Sequence, residues 1–173
     1  MSFKPITSKD PQRFTVAEVK HTTGLIITNT VTAYAVQVDP SGTLAYWLPQ
    51  GGTIDIPQRP TANQPQYVFT PDFSGCSWTV TPMRNGNLRL RHVQGGKEVK
   101  EFNDLTVEEK GGPVSYAMQY TDYGYVVTLK KLIESTTAFA YMHFSGGSWR
   151  LHVQRQTCAP NVGNCKYKDG LVD

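Results

Sequence analysis

Turn-forming residues constrain this chain more than anything else in it. Fifteen glycines and eleven prolines are scattered over 173 residues, leaving few stretches long enough for a helix of ordinary length. The stretches between them are rich in Val, Thr, Tyr and Phe, which suit a pleated, half-buried surface. Expected strands are Gly24–Asn29, Val31–Val38, Thr43–Leu48, Gln66–Thr70, Cys76–Thr81, Leu88–Val93, Val114–Tyr120, Tyr123–Leu132, Ala138–Phe144 and Ser148–Gln154. Turn sequences such as Asp39-Pro40-Ser41-Gly42, Gln50-Gly51-Gly52, Asn85-Gly86 and Gly146-Gly147 separate them. Pro11–Lys20 reads as a short helix, with Asp10 as N-cap and Pro11 at the first helical position. The fold class expected is mainly β (α+β): a single-domain β-sandwich-like core with one or two short helices.

The length supports one core and not two, so residues 1–173 are expected to form one domain with residues 155–173 as its C-terminal tail. The Pro/Gln/Asn-rich stretch from Pro57 to Pro71 then reads as a surface excursion rather than a linker. A net charge of +3 with no long basic run argues against nucleic acid as the main partner. No apolar run approaches the roughly 20 residues of a membrane helix. Met1-Ser2-Phe3-Lys4-Pro5 carries no apolar core of a conventional secretory signal.

Three cysteines carry most of the chemical interest. Cys158 and Cys165 bracket a short loop holding Pro160 and Gly163, which admits either two independent thiols or a small disulfide clip. No cysteine pair or histidine pair stands at metal-ligand spacing, so neither a metal nor another cofactor is expected. Cys76 stands apart, following Ser74-Gly75 and opening an expected strand.

Strand parity gives Cys76 a partner. Cys76, Trp78 and Val80 share one face of their strand, and Leu88, Leu90 and His92 share one face of the next. The apolar sides of paired strands must match, so Cys76 and His92 fall on the same face. Pro82 disfavours a tight Asn85-Gly86 turn, and a loop of about five to seven residues centred near Arg84–Asn85 sets His92 opposite Trp78 or Cys76. A thiol beside an imidazole is sufficient for acyl transfer. An adjacent imidazolium favours the thiolate nucleophile, and His92 acts as general base. Gly75 leaves backbone N–H groups free to face an oxyanion, which makes Ser74 and Gly75 the supporting residues. His21, His143 and His152 read as ordinary histidines; His152 alternates with Leu151 and Val153 and so points away from the apolar face. The segments Phe73–Trp78 and Phe144–Trp149 resemble each other, without a constant period, so they are recurring turn chemistry and not a repeat.

Ser74-Gly75-Cys76, a hairpin of hydrophobic alternation, Leu88-Arg89-Leu90-Arg91-His92 and then Gly95-Gly96-Lys97 together resemble the catalytic segment of the cytotoxic necrotizing factor group. That group includes the dermonecrotic toxins and the Burkholderia lethal factor. The likeness covers about Phe73–Lys97, with Phe73 where the family usually has Leu. It implies a bacterial toxin or effector, a β-sandwich, and a Cys76–His92 dyad that deamidates or transamidates a glutamine of a host protein. A GTPase or a translation factor is the implied partner, met by a monomer that is secreted or translocated into a target-cell cytosol. It also implies a backbone carbonyl orienting the histidine, which no sequence feature locates. The alternatives are a transglutaminase of the same family, a cysteine protease, and a non-catalytic β-sandwich binding module. The last would use Tyr34, Tyr46, Trp47 and Tyr67 to hold a carbohydrate or a protein.

Overall fold

The computed structural model describes residues 10–23, 29–123, 135–159 and 164–170. Among the described residues eleven strands form two sheets: β1 (Gln12–Thr23), β2 (Asn29–Val38), β3 (Thr43–Trp47), β4 (Thr53–Pro57), β5 (Tyr67–Phe69), β6 (Ser77–Pro82), β7 (Asn87–Val93), β8 (Ser115–Met118), β9 (Ser135–Ser145), β10 (Ser148–Ala159) and β11 (Asn164–Gly170). A seven-stranded sheet runs β11-β10-β9-β5-β3-β1-β2, and a four-stranded sheet runs β4-β7-β6-β8. The helices are short: α1 (Val107–Lys110), α2 (Tyr120–Tyr123) and a single π-helical turn over Val99–Asn103.

Side-chain alternation builds the sandwich. Val68 of β5 and Ala138, Ala140 and Met142 of β9 meet Ile54, Ile56, Trp78, Leu88 and Leu90 from the smaller sheet. Residues one step away point to the other face of the large sheet, where Phe14, Ala45, Trp47 and Phe69 form a second cluster flanked by Tyr67, Phe139 and Tyr141. Strand β6 is covered on both sides, since Thr79 and Thr81 are as buried as Trp78. The cover includes the segment around α1, whose Glu109 carbonyl accepts from the guanidinium groups of Arg89 and Arg91. Arg89 also grips Asp55 through paired hydrogen bonds of 2.8 Å. Helix α1 is closed by a Thr106–Glu109 capping box and by Gly111 in the left-handed region.

The expected helix over Pro11–Lys20 is instead strand β1. Its backbone pairs residue by residue with β2 from Phe14↔Val38 to Thr23↔Asn29, and Phe14 packs its ring against Trp47 and Phe69. Cross-strand pairing and aromatic burial outweigh the local cap signal of Asp10-Pro11. Tyr123 ends a helical turn rather than opening a strand, and 124–134 lie outside the described residues, as do 24–28. Within the expected C-terminal tail, the backbone of 155–159 and 164–170 pairs as β10 and β11.

Candidate active site

Between the two sheets the chain makes a crossing. Phe73 bridges to Ala138 of β9 through backbone hydrogen bonds of 2.7 and 2.9 Å, while Ser77 already belongs to β6 in the opposite sheet. Ser74-Gly75-Cys76 spans the gap. Gly75 turns the corner at φ +98°, in the region that favours glycine. The look-alike Phe144–Trp149 does something different, since Gly146 and Gly147 there close the hairpin from β9 to β10.

The hairpin from β6 to β7 then delivers the histidine. Register runs from Pro82↔Leu88 to Ser77↔Val93 and sets His92 opposite Trp78, one of the two positions parity allows. Cys76 precedes β6 by one residue and packs in the same core cluster as Trp78, the partner of His92. Cys76 and His92 are closed off, at 2% and 0% exposure. Phe73 lies flat on the imidazole at 4.2 Å, with Trp78 stacked against Phe73 in turn. That sandwich of rings fixes the plane of His92.

A relay fixes its tautomer. The Thr70 hydroxyl donates to the Leu48 carbonyl at 2.7 Å, which uses its only proton. The same oxygen lies 2.7 Å from His92 Nδ1, so it accepts from Nδ1–H and leaves the lone pair on Nε2. His92 Nε2 is buried and makes no hydrogen bond among the described residues. Burial lowers the His92 pKa from 6.5 to about 4. The expected imidazolium beside the thiol is therefore corrected: the ring is neutral at pH 7, and burial weakens it as a base. Thiol and imidazole are not hydrogen-bonded to each other in this structure.

Sequence reasoning missed four further groups. Thr70 looks like a strand end, and nothing in its local pattern ties it to His92 across 22 positions. Tyr123 reaches back 47 residues: its hydroxyl donates to the Cys76 carbonyl at 2.7 Å and accepts the Gly75 N–H at 2.9 Å. Burial raises its pKa above the ordinary phenol value, so it stays protonated. Because Tyr123 holds the Gly75 N–H, that group does not face an oxyanion, contrary to expectation, and Ser74 is exposed. Gln50 extends its amide to the Cys76 sulfur at 3.7 Å. Gly95 lets its turn lie against the nucleophile's own, since a Cβ there would stand 2.5 Å from the Gly75 carbonyl oxygen. A signal for that last contact was present in the Gly95-Gly96 pair after the histidine.

The remaining candidates fall elsewhere. Cys158 and Cys165 are backbone partners across β10 and β11, and their side chains lie outside the described residues. His143 stacks on Tyr67 and His152 on Tyr141, both on the outer face of the large sheet. Tyr46 and Trp47 point to opposite faces of β3: Tyr46 packs into the sandwich, whereas Trp47 and Tyr67 share the cluster on the outer face of the large sheet. The side chain of Tyr34 lies outside the described residues. A surface groove of about 980 Å³ lies beside Phe14, Asn63, Gln66 and Tyr67, away from the dyad. Among the described residues no cluster of His, Cys, Asp or Glu could hold a metal ion, and no helix is long and apolar enough to cross a membrane. No protein-family model matches the chain, and no curated protein matches it.

Proposed function

We propose that this protein is a cysteine-dependent glutamine deamidase acting on a partner protein. The observation that carries the reading is the Leu48–Thr70–His92 relay, which leaves a neutral, buried Nε2 with no partner among the described residues. His92 Nε2 takes the thiol proton, and the sulfur attacks the side-chain carboxamide carbon of the substrate. The tetrahedral intermediate collapses, the C–N bond breaks, and His92 returns its proton to the departing ammonia. Water, deprotonated by His92, then cleaves the thioester to give glutamate and restore the thiol. A primary amine in place of water would give the transamidated product. Likeness to the cytotoxic necrotizing factor group supports the choice of glutamine and points to a toxin or effector whose host partner is a GTPase or a translation factor.

Lysate proteins exposed to the wild type should show Gln→Glu conversion by peptide mass spectrometry. Cys76→Ser and His92→Ala should each lower it by orders of magnitude without additivity, because the residues act as a unit. His152→Ala, on the outer face, should keep full activity. Amine incorporation in preference to hydrolysis would make the protein a transglutaminase. No converted glutamine with wild type would refute the reading.

A further inference from the structure

Gln50 passes for an ordinary surface residue, exposed in the turn between β3 and β4. Yet its Nε2 donates to Cys76 Sγ at 3.7 Å. The turn that carries it is held from several sides. The Gly52 N–H closes it onto the Pro49 carbonyl at 2.8 Å. The Gly51 N–H donates to the His92 carbonyl at 2.8 Å, and the His92 N–H donates to the Gly52 carbonyl at 3.1 Å. Gly51 sits at φ +68°, and a Cβ on Gly52 would meet Pro49 at 2.5 Å. Two residues before Gln50, the Leu48 carbonyl takes the Thr70 proton. One short stretch thus orients the base, grips its peptide and touches the nucleophile.

We propose that Gln50 is a catalytic residue whose side-chain amide steadies the charge on Cys76 sulfur and then the oxyanion formed on the substrate carboxamide; this rests on the deamidase reading. When sulfur bonds to the carboxamide carbon, the carbonyl electron pair moves to oxygen, which then lies two bonds from sulfur. A donor 3.7 Å from the sulfur is near enough to turn onto that oxygen as it forms, since the two acceptors are only two bonds apart. A backbone alternative is closed at Gly75, whose N–H is held by Tyr123. The amide carries no charge, so it favours the transient anion without trapping the glutamate product.

The test uses the full chain, wild type against Gln50→Ala and Gln50→Glu, with three measurements. Removing an oxyanion donor should lower conversion of lysate glutamines about a hundredfold or more. The pH profile of Cys76 alkylation by iodoacetamide should move to higher pH in both variants. Protection of Cys76 by a short peptide aldehyde, which adds to the thiol to give a hemithioacetal bearing the same oxygen, should weaken at least tenfold. Unchanged alkylation and unchanged aldehyde protection overturn the assignment, whatever the wild type does to lysate. Should wild type convert no glutamine while both thiol measurements respond, the deamidase reading fails and the role of Gln50 at the sulfur stands. Conversion of Gln50 itself to glutamate, absent in Cys76→Ser, would show that its carboxamide lies there as a substrate mimic and also overturn the assignment.

Discussion

Acid should weaken this protein through His92. The unfolded chain binds a proton on this ring near pH 6.5, whereas the folded protein resists it until about pH 4. The folded pKa is depressed, so the contribution is fully present above pH 6.5 and is lost as pH falls toward 4. Each unit of difference is worth about 1.4 kcal/mol, and the window spans the interval between those two values, so the total is about 3 kcal/mol. That is a large part of the 5–15 kcal/mol typical of a folded domain, taking about 5 as the lower end. Urea unfolding at pH 7, 6, 5 and 4, compared with His92→Gln, isolates the effect. His143, also lowered by burial and by neighbouring His152, titrates in both proteins and cancels in the comparison. The stability difference between wild type and variant should close by about 3 kcal/mol from pH 7 to pH 4. A difference that stays constant, or a His92 imidazole signal, identified by its loss in His92→Gln, titrating near pH 6.5, would refute the assignment of a buried neutral base. The same depression predicts that the base limb of the pH–activity profile extends well below pH 6, up to the point where unfolding intervenes.

Three other outcomes follow from named contacts. Thr70→Val leaves His92 Nδ1–H and the Leu48 carbonyl unpaired, at about 1–3 kcal/mol for each buried group; thermal melts should show the loss, and Thr70→Ser should restore both stability and glutamine conversion. Gly95→Ala drives a Cβ into the Gly75 carbonyl and should cost about 1–3 kcal/mol or more while slowing Cys76 alkylation, read by denaturation and intact mass. Cys158 and Cys165 are directly opposed, where antiparallel Cα atoms stand about 4.5–5.5 Å apart and a disulfide can close; titration of denatured, unreduced protein should find one thiol, and three would dispose of the clip.

The β-rich architecture was legible because alternation and turn residues are local. Parity allowed His92 opposite Trp78, where the register sets it, but Pro82, expected to stay out of the ladder, pairs with Leu88, and Met83–Gly86 make a shorter loop than the roughly five to seven residues expected. What could not be read was chemistry assembled across long separations. Tyr123 and Thr70 reach the dyad through tertiary closure of two sheets, and no periodicity within either segment encodes that. Strand β4 was missed because Thr53-Ile54-Asp55-Ile56 is too short to register between Gly52 and Pro57, yet it completes the sheet edge beside β7. Burial was the other hidden variable. A histidine next to a cysteine suggests an imidazolium until the ring is found buried under Phe73, where desolvation favours the neutral form.

That burial changes how the proposed chemistry must run. Separating charge between Cys76 and His92 inside a shell of Phe73, Trp78 and Tyr123 costs far more than it would in water. The resting dyad therefore avoids an ion pair, and transfer of the thiol proton has to coincide with arrival of groups that can bear the charge. Thr70 supplies one such group on the far side of the imidazole, and Gln50 supplies another at the sulfur. The substrate's own carboxamide, becoming an anion as the sulfur attacks, completes the set. On that reading a thiol kept this way reacts slowly with passing electrophiles, and faster when a substrate carboxamide reaches the sulfur beside Gln50. On this account selectivity arises from coupling ionisation to binding, and burial of the base is what enforces the coupling.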